Sequence, residues 1–211
     1  MSKGLSARHI GCVTASAVPR RHLSPLITVC LLAAAWGLVY SVYRGYYGFG
    51  GTVGMIGTVK STAEWRTLNL TAAAVLMVAA VLPLLAPLAS RRARLRPVLL
   101  VVCWILAVGC VMHGLIDDMQ RVLSLTVVRP VSYPASLWAT VDTRAADIQD
   151  LAFNETWFLI EGLLWGALGW VVLGPSGTRR RWVGSALAGV AALTAIGMLS
   201  AFGVIGRFVI G

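Results

Sequence analysis

The sequence predicts an all-α bundle of five membrane-spanning helices, with the N-terminus in the cytoplasm and the C-terminus outside. Three observations predict it. Of the 211 residues, 58% are hydrophobic and only 12% charged, where a soluble domain carries about 25% charged residues. Uncharged stretches of about 20 residues recur, long enough to cross a hydrocarbon core about 30 Å thick. Finally, the basic residues are spread unevenly, and that unevenness fixes the number of crossings.

Residues 1–25 form a basic tail with Lys3, Arg8, Arg20 and Arg21, and residues 26–211 form a single transmembrane bundle. The first span is expected at Leu26–Tyr43. Ala33-Ala34-Ala35 resembles a signal-peptide cleavage site, but the apolar run continues through Tyr40, so an uncleaved anchor is expected. The second span is placed at Leu68–Ala89, with a kink at Pro83 and Pro87 that neighbouring helices can accommodate. The third is placed at Pro97–Ile116, the fourth at Thr156–Leu173 and the fifth at Val183–Ile205.

The tail and the turns at 91–96 and 179–181 hold eleven of the 18 Lys and Arg residues and no acidic residue. These segments share a side only if there are five spans, and the positive-inside rule assigns that side to the cytoplasm. All eight Asp and Glu residues fall on the other side or at its span ends. The net charge of +10 is thereby explained by topology, and no nucleic-acid partner is expected. The bilayer is the expected partner and the plasma membrane the expected location.

Two long outer connections, 44–67 and 117–155, are expected to cap the bundle. Every tyrosine (Tyr40, Tyr43, Tyr46, Tyr47, Tyr133) lies in them or at an adjacent span end, together with Trp65, Trp138, Phe153 and Trp157. Interfacial belts explain part of this. The lopsided distribution points any chemistry outward.

Within the first connection, YRGYYGFGGTVGMIGT comes close to a dinucleotide-binding loop. Such a loop needs a strand before it and the spacing GxGxxG. Here a membrane helix precedes it, and Gly48-x-Gly50-x-x-x-Gly54 is one residue too long, so a nucleotide is excluded. Gly48, Gly51, Gly54 and Gly57 recur every third residue. They suit either a re-entrant or surface-hugging cap over the outer mouth, or a plain glycine-rich loop.

Candidate site residues are Glu161, His113, Asp117 and Arg44. Glu161 sits about one turn beyond Trp157 in the fourth span, where a buried acid costs about 2.5–3.5 kcal/mol to insert and faces the bundle interior. It is expected either to pair with Arg44 at the outer end of the first span or to be carried neutral. His113 and Asp117, in CVMHGLIDD, are four apart and share a helix face with Cys110. They suit an acid–base pair or a helix-end hydrogen bond. A metal site is not expected, because the other histidines, His9 and His22, lie on the tail and no second motif supplies ligands. No cofactor is expected either.

Cys103 and Cys110 are seven apart on one helix, about 10 Å by helical rise, too far for a disulfide. Cys12 and Cys30 complete the set, and apolar packing is expected for all four. Gly162 and Gly166 form a GxxxG, and Ser185, Gly189, Gly197 and Ala201 form a second small-residue face. These suit close helix packing within the chain or between copies in a homo- or hetero-oligomer. Asn69-Leu70-Thr71 and Asn154-Glu155-Thr156 match the glycosylation pattern but abut spans. No nucleophile elbow, HExxH, CxxC or phosphate loop is present.

Two stretches, VYRGYYGFGGTVGMIG after the first span and FNETWFLIEGLLWGALG opening the fourth, resemble a family of small bacterial polytopic membrane proteins known only as a domain of unknown function. In that family an aromatic-Gly-Gly motif follows the first helix, and an aromatic-rich outer end opens a later glycine-containing helix. The resemblance implies a membrane bundle, usually of four spans rather than five, and carries no activity. LLWGALGWVV beside an arginine turn is also similar to emopamil-binding-type sterol isomerases, whose catalytic acidic positions do not align with Glu161.

Two functional readings follow. One is a bundle that binds a small or lipidic molecule in an outward-facing polar site, as a transport-related or accessory subunit. The other is an intramembrane enzyme in which Glu161 works with His113 and Asp117 in proton transfer.

Overall fold

The computed structural model describes residues 24–174 and 177–206. Its elements are α1 (Pro25–Gly48), β1 (Gly57–Val59), α2 (Thr62–Arg91), α3 (Arg96–Leu125), β2 (Trp138–Val141), α4 (Thr143–Gln149), a π-helical turn (Asp150–Asn154), α5 (Glu155–Leu173) and α6 (Thr178–Ala201). α4, the π turn and α5 run on without a break. Among the described residues there are therefore five helices long and apolar enough to cross a membrane.

Local chemistry sets the helix starts. The Ser24 hydroxyl accepts the Ile27 N–H at 3.4 Å, and Pro25 follows, pre-set for a first helical position. Ser61 caps α2 by accepting the Glu64 N–H at 3.2 Å. The Ser-x-x-Glu spacing is that of a capping box, with the acid near the positive helix end. Pro83 and Pro87 lie inside α2 without ending it.

The helices pack in the order α2, α1, α5, α3, α6. α5 sits in the middle, and 39% of its spanning window is buried against 11% for α6. The remaining faces stay apolar, with Val78, Leu88, Val101, Leu163 and Leu187 exposed. A soluble protein rarely leaves such continuous apolar faces uncovered.

One end of the bundle is closed by Cys30, Ala86, Leu99, Cys103, Trp165, Leu168 and Val172. There the Arg96 guanidinium donates to the Val172 and Leu173 carbonyls at 3.1 and 3.4 Å, satisfying the open C-terminal end of α5. Arg179 donates to the Trp170 carbonyl and stacks on its ring. Both arginine turns thus share this end, as the charge count requires. Residues 1–23 of the tail lie outside the described residues. Cys30, Cys103 and Cys110 are free thiols, and Cys12 is outside the described set.

Parts of the two small-residue faces meet α3. A Cβ on Gly162 would lie 2.6 Å from Val111 Cγ2 on α3, one on Gly189 would lie 3.0 Å from Trp104, and Gly197 abuts Ile116. α3 thus packs against Gly162, Gly189 and Gly197, whereas a Cβ on Gly166 would meet only Ala107 Cβ at 3.9 Å and Ser185 is exposed.

The opposite end differs from expectation in how its connections are built. α1 continues to Gly48 and α3 to Leu125, so the non-helical links shrink to 49–61 and 126–142. The glycine stretch does not re-enter the bundle. It makes a surface turn with Gly50 at φ 97° and Gly54 at φ 81°, a region that favours glycine. The Tyr46 hydroxyl accepts the Thr52 and Val53 N–H groups at 3.1 and 2.8 Å, and the Tyr47 hydroxyl donates to the Val53 carbonyl at 3.0 Å. β1 then pairs antiparallel with β2, in the register Gly57 to Val141 and Thr58 to Thr140. This ribbon joins the two links. Several aromatics expected at the interface are instead core: Tyr40, Tyr47 and Trp157 are buried, with Tyr40 stacked on Trp157 at 4.3 Å.

Candidate functional site

The polar side chains at this end form two neighbouring groups, both built between α3 and the helix formed by α4, the π turn and α5. In the first, Arg121 of α3 reaches Asp150 Oδ2 at 3.0 Å and Asp147 Oδ1 at 3.4 Å. Tyr133 accepts a hydrogen bond from Arg121 and donates one to Asp147. Burial pushes the Tyr133 hydroxyl above the ordinary tyrosine range, the more so because Asp147 and Asp150 stand beside it, although Arg121 pulls the other way. It therefore stays a donor. Asn154 donates to Asp150 at 2.6 Å and accepts from the Tyr40 hydroxyl at 3.2 Å, which extends the network to α1.

The second group is His113, Asp117 and Glu155. His113 Nε2 lies 3.4 Å from Asp117 Oδ2 and 3.7 Å from Glu155 Oε2. The first distance follows from i, i+4 spacing on α3. The second follows from the π turn. In a regular α-helix Glu155 would point about 140° away from Asp150, five residues earlier. The wider turn swings it back toward α3, so that both acids face that helix. π turns of this kind often sit at functional sites. Gln120 donates to Asp117 Oδ1 at 3.2 Å and leaves Oδ2 toward the histidine. The Phe158 and His113 rings pack edge to face with centroids 4.5 Å apart.

Beside this group lies a cavity of about 550 Å³ between α3, α6 and the 129–132 segment. His113, Asp117, Gln120, Arg129 and Ser132 give it polar walls, and residues such as Ile116 give it apolar ones. Arg129 is held 5.1 Å over the Phe202 ring at the end of α6.

Of the four residues singled out by sequence, the structure brings together His113 and Asp117. Glu161 and Arg44 do not join them, and they do not pair with each other. Trp36 and Trp157 exchange hydrogen bonds through their indole N–H groups and carbonyls, at 3.1 and 3.3 Å, which fixes the antiparallel register of α1 and α5. Arg44 lies eight residues from Trp36 toward the ribbon end and Glu161 four residues from Trp157 toward the arginine turns. At 1.5 Å per residue they are about 18 Å apart along the axis. Glu161, 2% exposed, instead accepts the Trp165 indole N–H at 2.7 Å. Arg44 sits 5.7 Å from the Tyr40 ring centroid.

Sequence reasoning missed Glu155, Arg121, Asp147 and Asp150 as site residues. It also expected no metal site, yet among the described residues one group has ligand-bearing atoms close enough to share an ion, and it is His113, Asp117 and Glu155. No protein-family model matches the chain, and neither a curated protein nor a solved structure gives a significant match.

Proposed function

We propose that the protein is an integral plasma-membrane protein that holds a small or lipidic molecule in an outward-facing cavity, as a binding, transport-related or accessory subunit. The cavity beside His113 and Asp117 carries this reading. Its volume of about 550 Å³ falls within the usual range for small-molecule sites, roughly 300–1,000 Å³, and its mixed walls match their usual chemistry. Polar groups from α3 and Arg129 suit a polar head, while Ile116, Gly197 and Ala201 suit an apolar chain. The resemblance to small bacterial polytopic membrane proteins belongs to the same proposal. Its two stretches form the junction of α1 with the outer turn and the start of α5. The enzyme reading loses support, because Glu161 is bound to Trp165 rather than to His113 or Asp117.

The orientation rests on the arginine turns, which mark the cytoplasmic face by the positive-inside rule. A membrane-impermeant thiol reagent applied to intact cells should modify a cysteine introduced at Thr52 and spare one introduced at Ala93. The reverse pattern would invert the topology and move the cavity inside.

The cavity itself is tested on full-length protein extracted in detergent and washed, by counting retained lipid per chain with mass spectrometry. Wild type should retain about one lipid. Ala201→Trp, which fills the cavity, should lose it at least tenfold. Glu161→Gln keeps an acceptor oxygen for Trp165 and lies outside the cavity, so it should retain lipid as wild type does. Equal retention in Ala201→Trp would remove the cavity as the binding site.

A further inference from the structure

We infer that His113, Asp117 and Glu155 bind one divalent first-row transition-metal ion at the wall of the outer cavity. This rests on the site proposed above and adds to it the chemistry that would anchor an oxygen-bearing head group.

His113, Asp117 and Glu155 each offer one ligand atom, and the three atoms all lie within 4.8 Å of one another. Metal–ligand bonds of about 2.0–2.2 Å place tetrahedral ligands about 3.3–3.6 Å apart. The separations of 3.4 and 3.7 Å from His113 Nε2 already approach that spacing, so small side-chain rotations suffice.

The second observation is independent. Glu155 is 6% exposed, and its Oε2, the atom turned toward His113, has no hydrogen-bond partner among the described residues. A buried polar atom without a partner is costly, and an ion between the three groups would satisfy it. Charge agrees as well. Among the described residues the Lys/Arg-to-carboxylate ion pairs are those of Arg121 with Asp147 and Asp150. Asp117 and Glu155 have no such cation, and a divalent ion balances two carboxylates.

The donor set narrows the class of metal. One imidazole and two carboxylates without a thiolate suit zinc, iron(II), cobalt or manganese rather than copper(I). The imidazole weighs against magnesium and calcium, which take oxygen shells. Gln120 supplies the outer contact that orients a ligating carboxylate, since it holds Asp117 Oδ1 and frees Oδ2. Three protein ligands leave a coordination position open, and His113 and Asp117 both line the cavity. Water or an oxygen of the cavity ligand completes the shell there.

The test uses full-length protein in detergent, stripped with a chelator and titrated with Co²⁺ while the visible absorption is followed. One Co²⁺ per chain should bind and be displaced by Zn²⁺ but not by equimolar Mg²⁺. Asp117→Asn and Glu155→Gln should each weaken binding at least tenfold, and His113→Ala should abolish the absorption band. The thermal midpoint of wild type should rise with Zn²⁺ and not with Mg²⁺, a readout that needs no variant to fold. Absence of a stoichiometric band, or binding unchanged in all three variants, overturns the inference. Retained lipid without Co²⁺ binding overturns this site alone, whereas Co²⁺ binding without retained lipid upholds it and removes only the lipid-binding reading.

Discussion

Replacing Arg121 with methionine is expected to destabilise the ribbon end of the bundle by about 3–5 kcal/mol, the cost of leaving buried charges without their partner. Arg121 is only 16% exposed, and the carboxylates it holds, Asp147 and Asp150, are 3% and 14% exposed. It joins the C-terminal end of α3 to α4 and the π turn, and through Tyr133 it also holds the 126–142 link. Methionine fills a similar volume but leaves two acids facing each other in a poorly hydrated site. Removing the acids together with the arginine should undo most of the loss, because burying a charged group without a partner, rather than lost packing, is what destabilises. Thermal unfolding of the purified protein in detergent would show this, with Arg121→Met low and Arg121→Met/Asp147→Asn/Asp150→Asn close to wild type. If the single variant unfolds within about 1 kcal/mol of wild type, typical of an exposed ion pair, the network is not holding the helices together.

Legibility in the sequence follows from the range of the interactions concerned. Helix number came from local properties, since an uncharged run of spanning length and an arginine turn are each readable within about 20 residues. The pairing of His113 with Asp117 is likewise local, one turn on one helix. The proposed ion pair of Arg44 with Glu161 needed the register between α1 and α5, which Trp36 and Trp157 set and which no local pattern announces. Glu155 was hidden twice. It lies in Asn154-Glu155-Thr156, which matches an unrelated glycosylation pattern, and its direction depends on a π turn that periodicity arguments at 3.6 residues per turn do not anticipate. One signal was nevertheless available. In antiparallel neighbours the outer end of the third span and the outer start of the fourth lie at the same depth, so His113, Asp117 and Glu155 could have been grouped by topology alone. The β1–β2 pairing was not readable at all, because strands of three and four residues are too short for an alternating pattern.

The GxxxG of the fourth span makes a sharper case, because its two glycines look equivalent in sequence and are not equivalent in space. A Cβ at Gly162 would meet Val111 Cγ2 at 2.6 Å, and the Ala107 carbonyl oxygen and Val111 nitrogen at 3.0 Å. The methyl can rotate away, but the two backbone atoms belong to α3 and cannot. At Gly166 the nearest atom would be Ala107 Cβ at 3.9 Å, an ordinary contact. Gly162→Leu should therefore force α3 and α5 apart and cost about 3 kcal/mol or more, at the upper end of overpacking penalties. Gly166→Ala should be neutral or stabilise by about 0.5–1 kcal/mol, through the better helix propensity of alanine. The two helices that would separate also carry His113, Asp117 and Glu155, so Gly162→Leu should weaken Co²⁺ binding even though it touches no ligand. Thermal unfolding and Co²⁺ titration of both variants test this together. Equal tolerance at the two positions would mean that α3 and α5 do not approach as closely as the placement of Glu155 beside His113 requires.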